Sequence, residues 1–164
     1  MKKVILCLLL PIYCIGQKDY SNYEIEGKKL YWRKVFENVS MSADSLQKMV
    51  KRQILTKGLK LQNEEQGLVQ ARFEDYTIYQ SVGFVKMPLV FNAGVTVQFK
   101  EGKYRVELSE MLITYGNSKS PQDASFMKTD STFRTRNDVL KIMSERNEEF
   151  IGIFKLKSGE KKDW

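Results

Sequence analysis

The sequence predicts an α+β domain in the order β-α-β-β-β-β-α, an antiparallel sheet with two helices packed on one face. Three observations predict it. The stretch "LYWRKVF" is dense in aromatic and branched residues, as strands are. The run "SADSLQKMVKRQILTKG" carries an amphipathic helical pattern between a cap and a stop. The segment "LVFNAGVTVQFKEGKYRVELSEMLITY" alternates so regularly about Glu101-Gly102 that its strand register can be solved by arithmetic.

The chain of 164 residues opens with "MKKVILCLLLPIYCIGQK". Lys2 and Lys3 form a positive start, 4–15 is apolar apart from Pro11, and Gly16 is small before polar Gln17. That order is a secretory signal peptide, 1–16, with cleavage between Gly16 and Gln17. Its apolar part is shorter than the roughly 20 residues a membrane-spanning helix needs, so no permanent anchor is expected. Bulky Tyr13 before Cys14 fits poorly with lipoprotein processing. Both cysteines, Cys7 and Cys14, fall in the removed segment, and there is no histidine. The mature chain is thereby denied disulfides, thiol catalysis, His-based triads and most zinc sites. A metal or cofactor is not expected. The expected location is the periplasm, or the cell surface after export, where a domain without disulfides rests on its core alone.

The remaining 148 residues suit one domain, with a charge reduced from +7 to +5 by loss of the two lysines. Residues 17–28 read as a flexible lead-in and 29–157 as the domain, with 158–164 a polar tail. The first strand is 30–36. Ser42 then caps the helix, Asp44 suits its positive end, and Gly58 ends it, with Leu46, Met49, Val50 and Ile54 on the sheet-facing side. A short strand, 59–63, turns through Glu64-Glu65-Gln66-Gly67 into a longer one, 68–73, extendable to Tyr79. From Gln80 to Pro88 alternation fails, and a connection or irregular edge is expected. Facing residues about Glu101-Gly102 then pair Phe99 with Tyr104, Val97 with Val106 and Val95 with Leu108 on an apolar face. Gln98 pairs with Arg105 and Thr96 with Glu107 on a polar one, and a one-residue slip destroys both patterns. Gly94 inside the strand reads as a bulge marker. Residues 116–136 form a long polar loop, and a last helix starts near Asn137 or Asp138 with Val139, Met143, Phe150 and Phe154 in one stripe, weakened by Gly152.

The "LYWRKVF" strand, the "SADSLQKMVKRQI" helix and the hairpin "VQFKEGKYRVELSEM" together resemble a bacterial family of exported domains of unknown function, found mainly in Bacteroidetes, with a TBP-like fold. The resemblance covers residues 30–113 and is strongest at 100–108, with Glu101-Gly102 where that family usually has Asp-Gly. It implies the TBP-like form of the α+β class, with a cystatin-like arrangement as the alternative. It implies no catalytic residues, because the family has no established activity.

The functional reading is a non-catalytic exported binding module of the bacterial envelope. Its helix-free sheet face carries Arg72, Gln70, Gln98, Arg105 and Glu107, with Tyr31 and Arg33. Arg72, Gln98 and Arg105 are the candidate partner-facing surface, for a protein, peptide or glycan. The alternative is a carboxylate-dependent hydrolase built on Glu64 with Glu65 or Glu74 with Asp75. Regular strand geometry puts Glu74 and Asp75 on opposite faces, which argues against it, and Glu145, Glu148 and Glu149 read as a solvated helix face. Nucleic-acid binding ranks last: Glu74 and Glu107 interrupt the basic face, export separates the chain from chromosomal DNA, and fold analogy does not carry function. The Asn38 "NVS" pattern is read as chance.

Overall fold

The computed structural model describes residues 22–26, 29–82, 84–115, 122–123 and 143–156. The opening segment 1–16 read as a leader, the polar tail, Val139 and the expected helix start near Asn137 or Asp138 lie outside them. The elements run β1 (Tyr23–Glu26), β2 (Lys29–Glu37), α1 (Ala43–Thr56), β3 (Lys60–Glu65), β4 (Leu68–Val82), β5 (Val85–Lys100), β6 (Lys103–Tyr115), β7 (Gln122–Asp123) and α2 (Asn147–Phe154). All strand pairs are antiparallel, in the order β1-β2-β6-β5-β4-β3. β7 pairs with the edge of β6 at Leu112 and Ile113, past Leu108, where β2 stops. The predicted succession from β2 to β6 and the final helix are all present.

Two sequence expectations are corrected. The flexible lead-in contains a strand, β1, whose Tyr23 lies opposite Trp32 and whose side-chain hydroxyl donates to the carbonyl of Met143. The expected irregular stretch 80–88 is instead the far end of the β4/β5 hairpin, with register pairs from Tyr79↔Pro88 to Val82↔Val85. Among the described residues β6 pairs with β5 only from Leu89 onward, so Pro88 occupies a stretch with β4 alone beside it, an edge position where proline is accepted. The polar loop also holds β7.

α1 is built as its ends dictate. The Ser42 hydroxyl accepts from the Ser45 amide at 3.3 Å, and Asp44 lies in the first turn. At the other end Gly58 has φ +82°, its amide donates to Leu55 and that of Leu59 to Ile54. These are the two bonds of a Schellman stop, and Leu59 is buried beside it. Leu46, Val50 and Ile54 are buried as expected, but Met49 is 42% exposed and Gln47 takes a buried place. The reason is a polar partner on the sheet: the Gln47 amide donates to the Glu65 carbonyl at 2.9 Å and its oxygen accepts from the Gly67 amide at 2.9 Å. Gln47 thus clamps the β3/β4 turn to α1.

The core lies between the sheet and the two helices. Trp32, Phe73, Phe91, Phe150 and Phe154 are all at most 1% exposed. Phe150 meets Trp32 edge-on at 5.6 Å and stacks on Phe91 at 5.5 Å between centroids. The Trp32 indole N–H donates to Asn147 Oδ1 at 2.9 Å, so the one polar atom of this cluster's tryptophan is satisfied. Phe150 and Phe154 are buried on one face of α2, and exposed Gly152 does not interrupt them. Met143, also buried, lies before Arg146, where a turn precedes α2, so contrary to expectation it is not part of the same helix.

The β5/β6 register is the one predicted, from Phe99↔Tyr104 to Val95↔Leu108 on the core side and Gln98↔Arg105 and Thr96↔Glu107 outside. It shifts between Asn92 and Gly94, where Ser109 and Glu110 together face the outer side, so Gly94 does adjoin a bulge. A Cβ at Gly94 would stand 3.2 Å from Ser109 Oγ.

Candidate functional site

The outer face is set by strand parity. Odd residues of β5 enter the core, and its even residues Thr96, Gln98 and Lys100 face out beside Glu107, Arg105 and Lys103 of β6. β2 adds Arg33, Val35 and Glu37 in the same rows, and β4 adds Leu68, Gln70 and Arg72. Neither α1 nor α2 covers this side.

One half of the face is internally neutralised. Arg33 Nε donates to Glu107 at 2.7 Å and Nη1 to Glu24 at 2.8 Å, and the guanidinium also pairs with Glu26. It lies over the Tyr31 ring, 4.5 Å from the centroid. The hydrogen bond from Arg33 holds the Glu26 carboxyl below the usual range, and the bond to Glu26 in turn raises the guanidinium's pKa. With its side chain 12% exposed and three carboxylates around it, Arg33 is a structural tie between β1, β2 and β6.

The other half is not neutralised. Lys100 and Lys103 lie directly opposite each other in the β5/β6 ladder, a like-charge pairing that weakens a sheet. Arg105 follows on the same face, 47% exposed and 3.5 Å from a Glu107 already held by Arg33. These three cations, with Gln98, half-exposed Val35 and Tyr104, line a shallow hollow of about 180 Å³. Among the described residues Lys100 and Lys103 have no ionic partner within 4 Å, although Glu37 is the register neighbour of Lys103. The hollow offers hydrogen-bond donors and positive charge around a small apolar floor. No carboxylate is among the residues that line it.

The structure therefore brings Gln98 and Arg105 together and leaves Arg72 apart. Arg72 lies opposite Gly94, four residues or roughly 13 Å along β5 from Gln98. Its guanidinium faces Glu110 at 4.0 Å. Lys100 and Lys103, missed by sequence reading as ordinary surface charge, complete the hollow. Their signal was present in the predicted register, which sets the two lysines face to face.

The acidic pairs also resolve. Glu64 is bound by Lys51 and Gln47, and Glu149 by Arg146 and the Tyr76 hydroxyl. The expectation that Glu74 and Asp75 point to opposite faces is overturned. The β4/β5 register shifts between Phe73 and Tyr76, both carboxylates lie exposed within that bulge, and the inward parity passes from Phe73 to Ile78. Glu74 is paired with Lys60 and Asp75 donates its amide to Asn92 Oδ1 at 3.0 Å. No group of three or more metal-ligating side chains occurs among the described residues. A second cation-bearing groove of about 600 Å³ lies between α1 and α2, lined by Met49, Arg52 and Lys57 and bounded by Leu156, where the described residues end.

Among the described residues an antiparallel sheet carries α1 and α2 on one face and no helix on the opposite polar face, which is an α+β fold of the TBP-like kind. The solved structures it is similar to agree. A DUF4468 family protein from Bacteroides ovatus superposes with a TM-score of 0.56 at 18% identity, covering 84% of this chain and 93% of that one. A TBP-like protein from Parabacteroides distasonis gives 0.53 at 10% identity, covering 79% and 89%. No family profile matches the sequence, and no curated protein does. The resemblance noted in the sequence is thus borne out in the fold, and neither structural relative's name carries an activity.

Proposed function

We infer that this chain is a non-catalytic binding module whose helix-free face captures an acidic segment of a peptide or glycan. The observation that carries this reading is the hollow at the β5/β6 turn, where Lys100, Lys103 and Arg105 converge without enough carboxylate to neutralise them. Opposed lysines cost stability in a ladder, and an arriving carboxylate, sulfate or phosphate group relieves that cost. Val35, 51% exposed, adds an apolar contact to the same hollow. The bare cations, rather than any reactive group, favour binding over hydrolysis. The leader-like opening supports a role in the bacterial envelope, where acidic polymers and peptides are accessible to an exported domain.

The test is fluorescence anisotropy with a labelled oligoglutamate peptide at low and high salt. The wild type should bind at low salt and release at high salt, because exposed charge is screened within a Debye length of about 10 Å at 0.1 M. Combined Lys100→Ala, Lys103→Ala and Arg105→Ala should weaken binding at least about tenfold, equivalent to about 1.4 kcal/mol. Arg72→Ala should change it little. Equal binding by the triple variant, or none by the wild type at low salt, would sink the reading.

A further inference from the structure

The β4/β5 hairpin outruns the rest of the sheet. β3 pairs with β4 only as far as Arg72, and β6 ends at Tyr115 opposite Leu89. From Tyr79↔Pro88 to Val82↔Val85 the two strands pair with each other alone, among the described residues. This is a projecting two-stranded arm, a form that is marginal in water unless something packs on it.

Its composition is opposite to what water selects. Phe84 at the tip is fully exposed, Val85 is 63% exposed, Tyr79 48% and Met87 47%. Val85 and Met87 continue the core-facing parity of Leu89 and Phe91, which are buried, yet no described element packs over them. In a chain with 29% charged residues, Lys86 is the only one between Tyr76 and Phe99. The tip is convex and presents an aromatic ring, aliphatic neighbours and a single cation.

We propose that this arm docks into a lipid surface containing anionic headgroups, inserting Phe84, Val85 and Met87 at the headgroup boundary. The charge pattern selects this occupant. An apolar tip with one cation and no carboxylate matches an apolar layer beneath a negative surface, where a lysine stem runs along acyl chains while its ammonium reaches phosphate. Tyr79, an aromatic with a polar end, suits the same boundary. A protruding ring fits a deformable layer without needing a preformed pocket. The arm and the cationic hollow lie at opposite ends of β5, 16 residues or roughly 50 Å apart along the strand. Docking by the arm therefore leaves the hollow facing away from the bilayer, and the inference does not depend on what the hollow binds.

Co-sedimentation of the chain from Gln17 onward with vesicles tests this, using phosphatidylcholine alone and phosphatidylcholine mixed with phosphatidylglycerol. The wild type should partition onto the mixed vesicles and much less onto the neutral ones. Phe84→Asp should lower that partition at least about tenfold, as expected for loss of one inserted phenyl ring, with an unchanged melting temperature. Lys86→Ala should weaken binding to the mixed vesicles only. Phe84→Trp should show blue-shifted emission on the mixed vesicles. Wild type remaining in the supernatant would overturn the proposal. So would vesicle binding lost in Lys100→Ala with Lys103→Ala but kept in Phe84→Asp, which would assign it to the hollow. A wild-type dimer that Phe84→Asp converts to monomer would assign the tip to a second copy instead.

Discussion

Tyr104 shows how one side chain joins two layers. It is 2% exposed, stacks on Phe36 at 5.1 Å, donates to the Phe154 carbonyl at 2.7 Å and accepts from the Leu156 amide at 3.3 Å. Burial pushes its phenol up to about 12 from 10, with the Leu156 amide acting weakly the other way. The neutral form is therefore the one the fold favours. Its stabilisation is complete below pH 10 and is lost as pH rises from 10 toward 12, by about 2–3 kcal/mol at most. Tyr104→Phe should be less stable than wild type by about 1–2 kcal/mol at pH 7, and the gap should close in alkaline denaturant titrations. Gly102 is held just as closely. Its φ is +70°, an added Cβ would stand 3.1 Å from Val39 Cα, and its amide and carbonyl both bond the β2/α1 connection. Gly102→Ala combines a left-handed penalty with a backbone clash, so a loss above about 1 kcal/mol is expected in urea titration.

At the scale of elements, the two bulges are the informative features. Each inserts a residue in the left-handed region, Asp75 and Glu110 at φ 49°, on either side of central strand β5. Glutamate pays a steric cost there that glycine does not. Glu110→Gly should therefore raise stability by about 0.5–1 kcal/mol, while Ser109→Gly, at ordinary φ, should lower it. Equal effects in thermal melts would refute the strain argument. The facing of β5 is tested by contrast. Val97 is fully buried, so Val97→Asp should unfold the chain or cost more than about 4 kcal/mol, whereas Gln98→Ala and Arg105→Ala should stay within about 0.5 kcal/mol.

For the whole molecule, the sheet and helices share one aromatic centre. Phe150 reaches Trp32, Phe73 and Phe91 from α2, so the last described element seals a core laid down by β2, β4 and β5. Phe150→Ala should cost about 3–5 kcal/mol, a large share of the 5–15 kcal/mol typical of a domain. Both helices should be lost with the sheet in a single transition, visible as coincident far-UV and near-UV circular dichroism melts. Separate transitions would mean that α2 is an appendage.

The element order, both ends of α1 and the β5/β6 register were legible in the sequence, because each depends on local patterns: a serine cap, a glycine stop, alternation about a two-residue turn. The chemistry of Arg105 beside Gln98 followed from the same register. Some further signals were present but went unused, as in the shift of apolar parity from Val106 and Leu108 to Met111 and Ile113, which marks the Glu110 bulge. The rest was decided only by tertiary structure. Gln47 is buried because a turn 20 residues away presents it with a donor and an acceptor, while Met49, two residues on, is left 42% exposed. Arg33 is neutralised because β6 brings Glu107 to it from 74 residues away, beside Glu24 and Glu26 of β1, whereas the local β5/β6 turn sets Lys103 opposite Lys100 and, among the described residues, no folded neighbour brings either lysine an ion pair. Periodicity reports which face a residue takes, but only the folded neighbours determine whether its charge, or its exposed ring, is satisfied.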